Sequence, residues 1–241
     1  MPTIHLIDGE KGGVGKSFVA KSMIQYAIDR GLTYTAVETD RSNPDVANVY
    51  GNCKLAMLSE DEKQVFKADR IFDLALEKSL IVSLPSQVHK PFKNWIERNK
   101  LFELSPQYGI TFIKWFVSNG EFDSISLFTK SLKYCGTEVP HILVRNFGLC
   151  DEWSQVNDDI EVQKLINDYN VKIINFPKLG HNERYFINQK QLTFGDARKH
   201  EGLTILGQQR VVNFLKAAYA EFDSTEVWAS SNTVGELCES S

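Results

Sequence analysis

Residues Glu10-Lys11-Gly12-Gly13-Val14-Gly15-Lys16-Ser17 place three glycines and two lysines between an apolar run at Thr3 to Ile7 and a helical pattern from Ser17 onward. Glycine lets a loop curl until successive backbone N–H groups converge on one anion, and a helix that starts there adds the positive end of its dipole. Polyphosphate is the guest this suits. Gly12, Gly13, Val14, Gly15, Lys16, Ser17 and Phe18 are the residues expected to wrap it. Lys16 would reach the β- and γ-phosphates and the Ser17 hydroxyl would ligate Mg²⁺.

Such a loop needs a strand before it and a helix after it, and the rest of the chain supplies the same grammar. Short runs rich in β-branched and aromatic residues alternate with longer amphipathic stretches, the pattern of a parallel sheet covered on both faces. Strands are expected at Thr3 to Asp8, Thr33 to Glu38, Leu80 to Leu84, Thr111 to Val117, His141 to Arg145 and Lys172 to Phe176. Helices are expected at Ser17 to Arg30, Glu62 to Lys78, Phe92 to Leu104, Ser124 to Tyr134, Asp158 to Tyr169 and Thr204 to Phe222. In open sheets of this kind ligands sit at the carboxyl ends of the strands. That singles out Glu38-Thr39-Asp40, Ser83-Leu84-Pro85-Ser86 and Asn146.

A chain of 241 residues suffices for one sizeable core, expected over residues 1–222, and the Ser/Glu-rich stretch 223–241 is expected to be a flexible tail. The net charge of −4 offers no general attraction to nucleic acid or anionic lipid. Cys53, Cys135, Cys150 and Cys238 are too far apart in sequence to suggest a zinc site or a disulfide framework. His5, His89, His141, His181 and His200 have no metal-ligand spacing, and Trp95, Phe112, Trp115 and Phe116 suit a core better than a base-stacking platform. No apolar run approaches the roughly 20 residues needed to span a bilayer, and no signal peptide precedes the first strand. A cytoplasmic location is expected.

The strict pattern G-x-x-x-x-G-K-[ST] fails at its first position, which is Glu10. The variant carrying an early lysine is met in full: Lys11-Gly12-Gly13-Val14-Gly15-Lys16-Ser17 resembles the deviant Walker A loop of the ParA/MinD ATPases. That resemblance implies an α/β fold with a single mostly parallel sheet flanked by helices on both faces, and ATP and Mg²⁺ as cofactors. It gives Lys11 the part of the lysine that crosses a dimer interface to the other subunit's nucleotide. Asp40 would position the attacking water, and Glu38 would hold a Mg²⁺-bound water. Asn146 would hydrogen-bond the adenine edge, and Pro177 would line the base. Read by themselves, Asp40 also suits a turn before Ser42-Asn43-Pro44, and Asn146 suits the turn Asn146-Phe147-Gly148. Ser83 stands where the family carries an aspartate, which implies weak Mg²⁺ affinity or slow turnover. No guanine-reading signature occurs, so ATP is expected over GTP.

The function implied is a slowly hydrolysing ATPase that dimerises on ATP and acts as a switch in plasmid or cargo partitioning or conjugal mobilisation. Ser83-Leu84-Pro85-Ser86, Val144-Arg145-Asn146 and Pro177-Lys178-Leu179 are similar to plasmid proteins of the TraL/MobD kind. The partners implied are a second copy of the chain, a protein that stimulates hydrolysis, and non-specific DNA. The basic clusters Arg198-Lys199-His200 and Lys90, Lys93, Arg98 and Lys100 are candidates for the DNA contact. The lack of paired cysteines argues against cluster-carrying relatives, and a C-terminus without Lys or Arg argues against membrane binding. Two alternatives stand: an ATP-dependent ligase like dethiobiotin synthetase or cobyrinate amidase, with an acid pocket after Ser86, and a nucleotide-binding regulator with little hydrolysis.

Overall fold

The computed structural model describes residues 1–228; positions 229–241, most of the expected tail, lie outside the described residues. The chain runs β1 (Thr3–Asp8), α1 (Lys16–Asp29), β2 (Tyr34–Glu38), β3 (Lys54–Leu55), α2 (Asp69–Ala75), β4 (Ser79–Ser83), α3 (His89–Arg98), α4 (Leu101–Leu104) and β5 (Thr111–Ser118). It continues with α5 (Phe122–Cys135), β6 (His141–Asn146), α6 (Ser154–Asp158), α7 (Ile160–Asp168), β7 (Lys172–Phe176), α8 (His181–Lys190), α9 (Phe194–Ala197) and α10 (Ile205–Ser224). The seven strands form one sheet in the order β3-β2-β4-β1-β5-β6-β7. All its pairings are parallel, which sharpens the expectation of a mostly parallel sheet.

Both faces of β1 are buried, so alternate residues serve different layers. Ile4 and Leu6 pack with Val82 of β4, Phe92 of α3 and Ile71 of α2. Ile7 packs with Met23 of α1 and Phe214 and Leu215 of α10. A third cluster joins Phe128 and Leu132 of α5 to Val162 and Ile166 of α7 beneath Phe116 and Leu143. The register sets Ile7 opposite Ser83 and Ser83 opposite Glu38, so the carboxyl ends of the central strands finish level with one another. α1 lies between the sheet and the α9–α10 layer, and every residue from Val19 to Ala27 is buried.

Three expected helices divide where local chemistry interrupts them. The Glu62–Lys78 stretch begins as a 3₁₀ turn at Val65–Ala68, after the Asp61 carboxylate has accepted the Lys63 N–H. The Phe92–Leu104 stretch starts earlier, at His89, and breaks at Lys100, whose φ of 47° lies in the left-handed region. Asp159 accepts the Glu161 and Val162 N–H groups, so α7 starts at Ile160 behind an N-cap rather than running on from Asp158. The boundary expected at residue 222 falls inside α10, and Trp228 is buried, stacked on His5 with ring centroids 4.0 Å apart.

Candidate functional site

The loop between β1 and α1 is held from below by Asp8, whose carboxylate accepts the N–H groups of Gly9 at 2.6 Å and Glu10 at 3.2 Å. A Cβ at Gly9 would lie 2.7 Å from both the Val117 carbonyl and the Val14 side chain, so only glycine lets the loop thread against β5. Gly15 caps α1 at φ 100°, and a Cβ there would run into the Asn146 amide. Glu10, at the position where the strict motif has glycine, takes a φ of 42° and accepts the Gln87 N–H on its carbonyl. Its side chain is buried with one carboxylate oxygen unpartnered. Burial, with the Asp8 charge beside it, pushes its pKa up to about 7.

Lys16 is 8% exposed and folds back on its own loop, donating to the Lys11 carbonyl and the Ser86 hydroxyl, both at 3.0 Å. Burial lowers its pKa, and the charges of Asp8, Glu10 and Asp40 work against that. A phosphate arriving in the loop supplies a better partner than either neutral oxygen. Lys11 pairs with the Glu121 carboxylate, with Asp123 3.9 Å away, at the start of α5 on its own chain.

Two adjoining cavities meet at Gly13, Gly15 and Phe18. One, of about 460 Å³, is lined by Lys16, Ser17, Lys21, Asp40, Ser83 and Ser86. The other, of about 440 Å³, is lined by Asn146, Pro177, Leu179, Arg184 and Tyr185 among others. The first is a polar, two-lysine chamber suited to phosphates, and the second is an apolar slot suited to a planar ring. Gly13, Gly15, Lys16, Ser17, Phe18, Asp40, Asn146 and Pro177 are thus gathered along one continuous groove. Val14 is buried, with its carbonyl bonded to Asn146, and Gly12 sits on the loop beside Ser86.

Asn146 is partly committed. Its amide donates to the Val14 carbonyl at 2.8 Å and accepts the Gly148 N–H at 3.0 Å, so it ties β6 to the loop and closes its own turn. One N–H and one lone pair stay available to a base edge. Asp40 also serves two roles. It accepts the N–H groups of Ser42 and Asn43, both at 3.0 Å, while lining the phosphate chamber.

Glu38 departs from expectation. One carboxylate oxygen accepts the N–H groups of Thr39 and Asp40 at 3.0 Å, and the other accepts the Val46 N–H at 3.1 Å. It is 1% exposed and shapes the 39–46 loop instead of facing the chamber as a metal-water holder. The Ser83 carbonyl is likewise taken, by the N–H and hydroxyl of Thr39. Among the described residues no group of three or more His, Cys, Asp or Glu is gathered to hold a metal. Ser17 and Asp40 therefore fit a Mg²⁺ carried in on phosphate oxygens, and do not fit one held by the protein alone.

Sequence reasoning missed Lys21, Arg184 and Tyr185, while Ser86 lies in the strand-end segment it singled out. Lys21 had a usable signal, because positions 17 and 21 share a helix face. The α8 residues had none: only Glu183 and Ile187 of that helix are buried, which leaves no apolar stripe to detect.

No protein-family model matches the chain. TraL of Escherichia coli is 23% identical over 244 residues, spanning 94% of this chain and 100% of that protein. MobD of Acidithiobacillus ferrooxidans is 48% identical over 48 residues, which is 20% of this chain and 21% of that protein. Among solved structures, the septum site-determining protein MinD of Pyrococcus horikoshii, complexed with Mg-ADP, is 15% identical with a TM-score of 0.54, over 95% of this chain and 97% of that one. The MinC:MinD cell division complex of Aquifex aeolicus gives 13% identity and a TM-score of 0.52, over 92% and 96%. The loop and the all-parallel seven-stranded sheet give the chain the fold of the MinD-like P-loop ATPases, and in sequence it is similar to TraL and MobD.

Proposed function

We propose that this chain is an ATP-dependent switch, binding ATP with Mg²⁺, dimerising in that state, hydrolysing slowly, and serving plasmid or cargo partitioning or conjugal mobilisation. The observation that carries the reading is the continuous groove from the Lys16–Ser17 chamber to the Asn146–Pro177 slot, sized and divided for a triphosphate and a base. The Mg-ADP in the P. horikoshii MinD complex and the partner in the MinC:MinD complex favour it by analogy.

In this reading the loop N–H groups and Lys16 hold the β- and γ-phosphates, and Ser17 meets the metal that travels with them. Phosphoryl transfer needs in-line placement and charge neutralisation more than a strong base, so Asp40 at the chamber wall suffices to orient water. Ser83, lacking the charge of an aspartate, makes turnover slow. Lys11 leaves its own acidic pair to reach a second copy, and loss of the γ-phosphate lets it return. The switch unit runs through α10 to Trp228, past the boundary expected at residue 222. A protein partner stimulates hydrolysis and DNA is held non-specifically. The Arg198 cluster is a weakened candidate for that contact, because Arg198 pairs with Asp29. Among the described residues no helix is long and apolar enough to cross a membrane. Cytoplasmic residence and the absence of a membrane partner complete the proposal.

A ligase would need its acid beside the γ-phosphate. A cavity of about 540 Å³ does lie in the segment after Ser86, lined by Pro91, Asn94, Trp95 and Arg98 with Leu58 and Phe66, but it shares no lining residue with the phosphate chamber. Titration calorimetry with light scattering decides: ATP with Mg²⁺, and not ADP, should convert monomer to dimer. An unchanged monomer at saturating ATP removes the switch, and no heat with any nucleotide removes the whole reading.

A further inference from the structure

α1 carries a second lysine one turn beyond the loop's hydroxyl. Lys21 is 9% exposed, as deeply set as Lys16, and it lines the same chamber as Lys16, Ser17, Asp40 and Ser83. Ser17 and Lys21 stand at i and i+4, so they share one face of the helix. The turn that carries Lys21 is pinned, because the Tyr50 hydroxyl donates to the Lys21 carbonyl at 3.1 Å.

The two lysines differ in their partners. Lys16 spends its ammonium on the Lys11 carbonyl and the Ser86 hydroxyl. Among the described residues the Lys21 ammonium has no hydrogen bond and no ion pair, although burial works against its charge and only the more distant fields of Asp45 and Glu38 favour it. Glu38 is closed to it as a partner, since both carboxylate oxygens already accept backbone N–H groups. The Lys21 stem is buried while its ammonium opens to the chamber with no protein group to neutralise it, a place where leucine or methionine would avoid the desolvation that burial imposes. A cation kept at a cavity wall under those conditions is suited to an anion in the cavity.

The end of β4 brings no charge of its own to the chamber. β4 ends in Ser83, a neutral hydroxyl whose own carbonyl is occupied by Thr39, and Glu38 is spent on its loop. The chamber therefore offers a triphosphate two lysines, and offers a divalent metal the Asp40 and Asp45 carboxylates, the first of which already accepts the Ser42 and Asn43 N–H groups. Resting on the nucleotide reading above, we propose that Lys21 is a positioning residue of the phosphate site. Its ammonium contacts polyphosphate oxygens and carries part of the charge neutralisation otherwise left to a metal, so that this pocket holds ATP without Mg²⁺.

The test is calorimetric titration of ATP, and of inorganic triphosphate as a base-free probe, with Mg²⁺ and with EDTA. Wild type, Lys21→Met and Lys21→Arg are compared, with thermal unfolding of each ligand-free protein as a control. Wild type should bind ATP in EDTA within roughly tenfold of its affinity in Mg²⁺. Lys21→Met should lose about tenfold or more in EDTA and no more than about threefold in Mg²⁺, with the same pattern for triphosphate, and Lys21→Arg should keep most of the metal-free affinity. If Lys21→Met does not fold, Lys21→Gln replaces it. Equal losses with and without metal, no loss in either, or binding by wild type only in Mg²⁺ overturn the proposal and leave the nucleotide site standing. No ATP binding under any condition overturns the site itself.

Discussion

The ammonium of Lys11 is held by the carboxylate of Glu121, a residue of its own chain at the entrance to α5, with Asp123 3.9 Å behind it. The hydrogen bond and charge of Glu121 raise the lysine pKa, and the same contact lowers that of Glu121. A lysine cannot hold this pair and reach a second molecule at once, so dimerisation must compete with the contact. Lys11→Ala should abolish the ATP-dependent dimer while sparing ATP binding. Glu121→Gln should shift the monomer–dimer midpoint a few-fold toward dimer in analytical ultracentrifugation. Both partners are solvent-reached, so the Glu121→Gln effect should fade at about 1 M salt, where screening acts within about 3 Å. A midpoint unmoved at low salt refutes the competition.

Glu10 makes the loop sensitive to pH. Burial first, then the neighbouring Asp8 charge, raises its pKa from 4.5 to about 7, so the folded protein holds this proton more tightly than the unfolded chain. Its contribution to stability is therefore full below the unfolded value and is lost as pH rises through about 7. The unfolding free energy of wild type from urea denaturation should fall between pH 5 and pH 8 relative to Glu10→Gln, by on the order of 2 kcal/mol after allowance for solvent reaching part of the group. Glu10→Gly should gain roughly another 1 kcal/mol, because a φ of 42° suits glycine. Parallel pH profiles for wild type and Glu10→Gln would refute the assignment.

Asp40 and Ser83 separate binding from turnover. Asp40→Asn keeps the oxygen that accepts the Ser42 and Asn43 N–H groups, so the turn should survive. ATP binding by calorimetry should stay near wild type, while phosphate release falls about 10²-fold. Ser83→Asp restores an acid at the end of β4 without touching the carbonyl that Thr39 uses. It should strengthen ATP binding in Mg²⁺ relative to EDTA by roughly tenfold and speed hydrolysis. Turnover unaffected by Asp40→Asn would leave that residue a turn former only.

The loop and the sheet could be read from sequence because their signals are local. Glycine and lysine at fixed offsets carry the loop, and the apolar runs of β1, β5 and β6 stand out because residues on both their faces are buried. α8 could not be read this way, since His181 to Lys190 buries only Glu183 and Ile187. Glu38 shows why site residues lag behind folds. An acid at a strand end looks the same in sequence whether it faces a cavity or backbone N–H groups, and the curl that brings Val46 onto it involves a contact eight residues away. Lys114 shows the same limit: inside an apolar strand it reads as an interruption, and only the fold, which sets it beside Leu6 and diagonal to Asp8 on the same face, brings the two charges together.

That pair fixes the floor beneath the loop. Asp8 and Lys114 are each 1% exposed and lie 3.0 Å apart; the lysine also donates to the Ser131 hydroxyl at 3.2 Å and sits over the Phe92 ring at 4.5 Å. Burial pushes the Asp8 pKa up, but Lys114 and the N–H groups of Gly9 and Glu10 outweigh it and leave the carboxyl below its ordinary value. Lys114→Met strands a buried carboxylate and should cost about 3–5 kcal/mol at pH 7, whereas Asp8→Asn with Lys114→Met should recover much of that, because the asparagine oxygen still accepts both N–H groups. In wild type the depressed pKa contributes stability above the unfolded value near 3.8, and this is lost only as pH falls further. In Lys114→Met only the Gly9 and Glu10 N–H groups oppose burial and the Asp8 pKa rises, so that variant should gain stability as pH drops from 7 toward 4. Urea denaturation across this range should show the gap between the two proteins narrowing on acidification. A constant gap would assign the loss to packing against Phe92 instead of to the unpaired charge.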